Sequence, residues 1–139
     1  MAHQFQDRVA RLKKSFGSLG TPEERYTYLM ELGKGLGAFP AALRSPERIV
    51  PGCQSVLYLD VTLKDGVLEF AATSEALISK GLAALLIAVY GSLPPEAVLL
   101  NPPSFLEELG IFASLSPSRS NGLAQIYLRM QQEALKALS

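Results

Sequence analysis

The stretch VLYLDVTLKDGVLEFAA, Val56 to Ala72, decides the fold class. Leu57, Leu59, Val61 and Leu63 alternate with Val56, Tyr58, Asp60 and Thr62, and a period of two sends one row of side chains inward and the other outward. Asp65-Gly66 is a hairpin signal, because a two-residue turn of this kind needs positive φ at its centre. Val67 to Ala72 then returns, with Leu68 and Phe70 inward. After Ser74 the period becomes helical. Leu77, Ile78, Leu82, Leu85, Leu86 and Val89 surround that helix almost completely, and a helix apolar all round is buried. Ser74 or Thr73 is expected to cap it, with Glu75 in the first turn, where a negative charge suits the helix dipole, and Gly91 as its stop.

Outward from this hairpin–helix unit the chain reads as helices. Phe5, Val9, Leu12 and Phe16 share one helical face, and that helix should end near Gly17 or Gly20. Thr21-Pro22-Glu23-Glu24 is a capping box: Thr21 caps, Pro22 takes the first helical position, and Glu24 reaches back to the cap's amide. Tyr26, Leu29, Met30, Gly33 and Leu36 form the apolar stripe of this second helix, ended by closely spaced glycines. A long connection follows from Ala38 to Gly52, with Ser45-Pro46-Glu47-Arg48 as its turn, and loops of this length are often functional. Beyond the central helix, Pro94-Pro95-Glu96 and Asn101-Pro102-Pro103-Ser104 start two short helices, the second carrying Phe105, Leu106 and Leu109. Ser116-Pro117 opens the last one, whose core face is Leu123, Ile126, Tyr127, Met130 and Ala134. Helices on a small antiparallel sheet make an α+β fold, here the hairpin with room for a third strand.

The 139 residues fit one domain, spanning 1–139, and with 48% hydrophobic residues the chain can bury a core. Thirteen basic residues balance thirteen acidic ones, so no electrostatic footprint for nucleic acid or an anionic membrane is present. The longest uncharged apolar run, Gly81 to Gly91, is short of the ~20 residues a bilayer requires. Met1 to Arg8 lacks a hydrophobic signal region, and a cytoplasmic location is expected.

The scarce residues narrow the chemistry. With one cysteine, Cys53, the chain cannot form an internal disulfide, a Cys-x-x-Cys pair or a multi-cysteine metal site. The one histidine, His3, lies at the terminus, where it is a poor candidate for a triad. Asp7, Asp60 and Asp65 have no metal-ligand spacing, and Gly33-Lys34-Gly35-Leu36-Gly37 lacks the strand and helix of a phosphate loop. Neither metal nor cofactor is expected. Cys53 is therefore the candidate for any chemistry, and it permits two readings. Free cysteine is commonly buried as a small hydrophobe. Against that, Pro51 and Gly52 before it suit a shaped loop rather than a core strand.

Val50-Pro51-Gly52-Cys53-Gln54-Ser55 resembles the cysteine loop of the SufE/CsdE sulfur acceptors. Two further segments fit in order. Ser74 to Leu82 (SEALISKGL) is similar to the start of that family's central helix, and Leu115 to Leu123 (LSPSRSNGL) to its Leu-Thr/Ser-Pro-Ser-Arg-x-x-Gly segment. The likeness runs from about Tyr26 to Met130. It implies a fold shared with IscU-type scaffolds and a carrier that accepts a sulfane sulfur from a pyridoxal-phosphate cysteine desulfurase. The sulfur would be held on Cys53 as a persulfide and passed to a downstream iron–sulfur scaffold. Gly52, Gln54, Ser55 and Arg119 would then belong to the loop and partner-facing surface. A single cysteine favours carrier over scaffold. The chain departs from the family at Tyr58, where tryptophan is common, and at Thr73-Ser74-Glu75, where Asp-Ser-Asp is common.

Sulfur transfer is attack by a thiolate on the outer sulfur of a persulfide, and it needs neither triad nor metal. Two other classes compete: a regulatory binding module of a desulfurase with Cys53 incidental, and a single-cysteine redox sensor. Arg119, a cation in a helix's first turn, is disfavoured by the dipole and could face a partner, a carboxylate or the thiolate, or be an ordinary solvated arginine. Lys80 reads as a snorkelling surface lysine. Monomer and homodimer are both compatible with the sequence. A carrier also needs a shelter, expected as an apolar pocket at the end of the hairpin in which burial raises the pKa of Cys53.

Overall fold

The computed structural model describes residues 2–139, with side chains from Gln4 onward, so His3 lies outside the described side chains. The described elements are α1 (Ala2–Gly17), α2 (Pro22–Lys34), β1 (Leu57–Lys64), β2 (Val67–Ser74), α3 (Leu77–Tyr90), α4 (Pro95–Leu100), α5 (Phe105–Glu108) and α6 (Pro117–Leu138). Short 3-10 turns at Ala41–Leu43 and Pro46–Arg48 break up the long connection. This is the expected α+β order.

The hairpin pairs Leu57 with Ser74 through Lys64 with Val67. Its turn residues have the positive φ the sequence demands, 52° at Asp65 and 82° at Gly66. Leu57, Leu59, Leu68 and Ala72 are buried on the inner face, and Phe70 is half-buried against the core. Leu63, expected inward, is 50% exposed although it faces buried Leu68. The difference is one of edges. Ser92-Leu93 covers the outer edge of β2, with the Leu68 amide donating to the Leu93 carbonyl at 2.9 Å, while among the described residues β1 has no such bridge at Leu63.

Among the described residues no third strand forms. Single bridges stand where one could have grown, Ile49 with Tyr58 and Leu68 with Leu93. Pro51 and Pro94 follow close behind, and proline has no N–H to extend a ladder.

Beyond its first turn the central helix is as buried as its pattern requires: Leu85, Leu86 and Val89 are fully inaccessible. Its backbone meets that of α2 at a glycine. A Cβ on Gly81 would land on the Leu29 carbonyl oxygen, and one on Gly33 would sit 3.0 Å from the Gly81 nitrogen. The start of α3 corrects the expectation. The position before Leu77 is Ala76, which makes no side-chain cap, and Glu75 lies outside the helix. Ser74 stays in β2, paired with Leu57. Its hydroxyl donates to the Val56 carbonyl at 2.8 Å and accepts from the Ala76 amide at 3.2 Å. The ladder runs through the position where the cap was expected. Leu77, also expected inward, is 51% exposed.

The other helix starts behave as read, with one adjustment. Thr21 accepts from the Glu24 amide at 3.2 Å, but Glu24 returns to the amide of Gly20, not of Thr21. Ser116 accepts from the Arg119 amide at 3.3 Å. Leu123, Ile126, Met130 and Ala134 are buried, and half-buried Tyr127 ties α6 to α4 by donating to the Val98 carbonyl at 2.8 Å.

Candidate functional site

The site grows from the loop between the long connection and β1. The Val50 amide donates to the Leu57 carbonyl at 2.9 Å, which closes the loop's base, and Val50 itself is buried. Gly52 follows with φ +84°, a conformation open to glycine. It lies so close to α6 that a Cβ there would meet the Gln125 Cγ at 2.8 Å. The Asn121 side-chain amide donates to the Gly52 carbonyl at 2.9 Å.

Cys53 is thereby turned over the first turns of α6. A Cβ on Gly122 would be 3.7 Å from the sulfur, and the sulfur is 3.9 Å from the Gly122 carbonyl oxygen, a long contact for a weak donor. The thiol is half-buried in a cavity of about 440 Å³, with Leu77, Ile78, Leu82 and Ile126 as apolar lining and Ser118 and Arg119 as polar lining. Burial pushes the Cys53 thiol above its ordinary pKa. The expected shelter exists at the open end of the hairpin, beyond the Leu57–Ser74 pair, and its walls are the starts of α3 and α6. The hairpin contributes only the strand from which the loop leaves.

Gln54 is exposed and Ser55 half-buried, and both line the same cavity. Arg119 lines it as well, with its guanidinium 5.7 Å from the centre of the Tyr26 ring. That cation–π contact gives the cation a neighbour that offsets its poor place in the helix dipole. Tyr26 is anchored in turn by its hydroxyl, which donates to the Ser114 carbonyl. Lys80 is half-buried on α3.

Tyr58, Thr73 and Glu75, separated in sequence, meet with Arg44 around a second cavity of about 500 Å³. It adjoins the first across Ser55 and Ala76, which line both. The three departures from the family pattern thus fall on one surface beside the cysteine loop. Among the described residues, no three or more His, Cys, Asp or Glu side chains gather as metal ligands.

Sequence reasoning missed what holds the approach to the loop. Arg129 donates to the Ile49 carbonyl at 3.1 Å and to that of Glu47, and it lies 3.7 Å from Glu133. Arg48 pairs with Asp60 at 2.8 Å. Asn121, Gln125 and Arg129 recur every four residues on α6. That polar row beside the apolar one was the available signal, but nothing local told it from a solvated face.

The family described as SufE, Fe-S metabolism associated domain, matches residues 10–134. An uncharacterized SufE-like protein of Synechocystis is 34% identical over 127 residues, covering 91% of this chain and 80% of that protein. SufE-like protein 1, chloroplastic/mitochondrial, of Arabidopsis thaliana is 33% identical over 133 residues, or 95% of this chain, which spans 36% of that longer protein. The solution structure of a hypothetical protein from Thermus thermophilus has the same fold, with TM-score 0.79, 27% identity and coverage of 94% of this chain and 96% of that one. With its loop, its central helix and most of its final helix inside the matched span, this chain belongs to the SufE family.

Proposed function

We propose that the protein is a sulfur carrier of iron–sulfur metabolism. In this reading Cys53 accepts a sulfane sulfur from a pyridoxal-phosphate cysteine desulfurase, stimulates that enzyme, and hands the sulfur to an iron–sulfur scaffold. The observation that supports it best is the placement of the lone thiol. It rides a six-residue loop, Pro51 to Val56, over a glycine of α6, at a cavity rimmed by exposed Gln54 and Leu77. A core cysteine would be enclosed, and a metal ligand would have companions.

The chemistry balances on one nucleophile. The Cys53 thiol gives its proton to solvent or a base on the partner. The thiolate attacks the outer sulfur of the donor's persulfide, a new S–S bond forms, and the donor's S–S bond breaks as its cysteine leaves as thiolate. No external oxidant or reductant enters. Arg119, on the same cavity, is suited to stabilise the anionic sulfur or a partner carboxylate.

Intact-mass analysis after incubation with a cysteine desulfurase and free cysteine tests this. One added sulfur atom, absent in Cys53→Ser, is the expected result. If the serine variant stimulates desulfurase turnover as well as the parent, the protein is a regulator and Cys53 is incidental.

A further inference from the structure

The cysteine loop has firm ends and a weakly held tip. Its base is closed by the Val50–Leu57 backbone bond and by Ser74 on the Val56 carbonyl at 2.8 Å. Among the described residues between these anchors, Pro51 to Ser55 makes one hydrogen bond of normal length to another element, from Asn121 to the Gly52 carbonyl. The Cys53 contact to Gly122, at 3.9 Å, is too long and too weak a donor to hold a loop alone. Asn121 is exposed and packs into no core, so its side chain has little other structural work.

We propose that Asn121 is a positioning residue, the latch that keeps the Cys53 loop shut over Gly122 and so sets how often the thiol is available. The geometry couples the latch to the sulfur directly. Gly52 is the residue before Cys53, and its positive φ turns the carbonyl to Asn121 while the next side chain drops onto α6. Gln125, one helical turn further on, backs the same glycine and leaves no room for a side chain there. With the ends anchored, releasing one bond lets the tip lift as a flap without disturbing the sheet or α6. Local opening of this sort exposes a sheltered group at a rate set by the population of the open form. The role of the latch in sulfur transfer rests on the carrier reading above; the latch itself does not.

The test is the rate of Cys53 alkylation by iodoacetamide at fixed pH, in the free protein with no sulfur donor. The parent is expected to react more slowly than an unstructured peptide carrying Val50 to Ser55. Asn121→Ala and Asn121→Leu, the second keeping the bulk but no donor, should each react about fivefold faster, ~1 kcal/mol at 1.4 kcal/mol per tenfold. Their thermal midpoints should fall by only a few degrees, as the same ~1 kcal/mol requires, so that all stay folded at the assay temperature, and in urea all three should react alike. Three results would overturn the proposal: a parent as reactive as the peptide, variants as slow as the parent, or a leucine variant that protects the thiol as well as asparagine does. Because no desulfurase is present, failure of sulfur loading would sink the carrier reading and leave these rates standing.

Discussion

At Cys53 the burial that shelters the sulfur also sets its charge. The folded protein holds the thiol proton more tightly than the unfolded chain, since desolvation disfavours the thiolate. The contribution to stability is therefore complete below the unfolded pKa of ~8.5 and is lost as pH rises through the higher folded value. Urea unfolding between pH 7 and 10 should show stability falling above about pH 8.5, and Cys53→Ser should remove that part of the fall. Tyr90 and Tyr127 are also raised, Tyr90 by burial first and then by Tyr127, so a further loss beyond about pH 10 should survive in the serine variant. One residue earlier, Gly52→Ala faces both a left-handed backbone and the Gln125 Cγ at 2.8 Å. It should cost about 1–2 kcal/mol in chemical denaturation and speed alkylation of Cys53. A stability equal to the parent's would mean that the loop relaxes away from Gln125.

Among the elements, the crossing of α2 and α3 is the least forgiving contact. Gly81→Ala puts a methyl group onto the Leu29 carbonyl, where only movement of a whole helix could relieve it. Overpacking of this kind commonly costs about 1–3 kcal/mol and occasionally more, and the upper end is expected in thermal denaturation because backbone, not a flexible side chain, is the obstacle. The apolar wrap of α3 was legible from residue order, and so were the Asp65-Gly66 turn and the caps at Thr21 and Ser116, because each rests on neighbours within a few positions. Ser74 was misread for the same reason. Its local pattern suits a cap, but pairing with Leu57, at the far end of the hairpin, keeps it in the strand. The cysteine loop was legible as a loop from Pro51-Gly52. Its restraint by Asn121, 69 residues away, was not, since an isolated asparagine in an exposed helical turn reads as solvated until the fold brings Gly52 to it.

Across the whole molecule, the site is attached to the core without being part of it, and one residue marks the joint. Along α3 the burial rises from Leu77, 51% exposed at the sulfur cavity, to Leu85, fully inaccessible two turns on. Cys53 touches this gradient at its shallow end, whereas Ile126 lines the cavity and belongs to the core as well. Replacing a half-buried thiol by hydroxyl keeps the shape and leaves the polar atom within reach of water, so Cys53→Ser should shift unfolding by less than about 1 kcal/mol at pH 7. Ile126→Ala removes buried carbon from both structures at once and should cost about 2–5 kcal/mol, the range for a large-to-small change in a core that collapses only in part. Because the lost volume opens onto the sulfur cavity, the same variant should also alkylate faster at Cys53 under conditions where it remains folded. Calorimetry and alkylation of the two variants side by side check the division. A large loss in Cys53→Ser with a small one in Ile126→Ala would place the cysteine inside the core and make its loop a structural element rather than a working one.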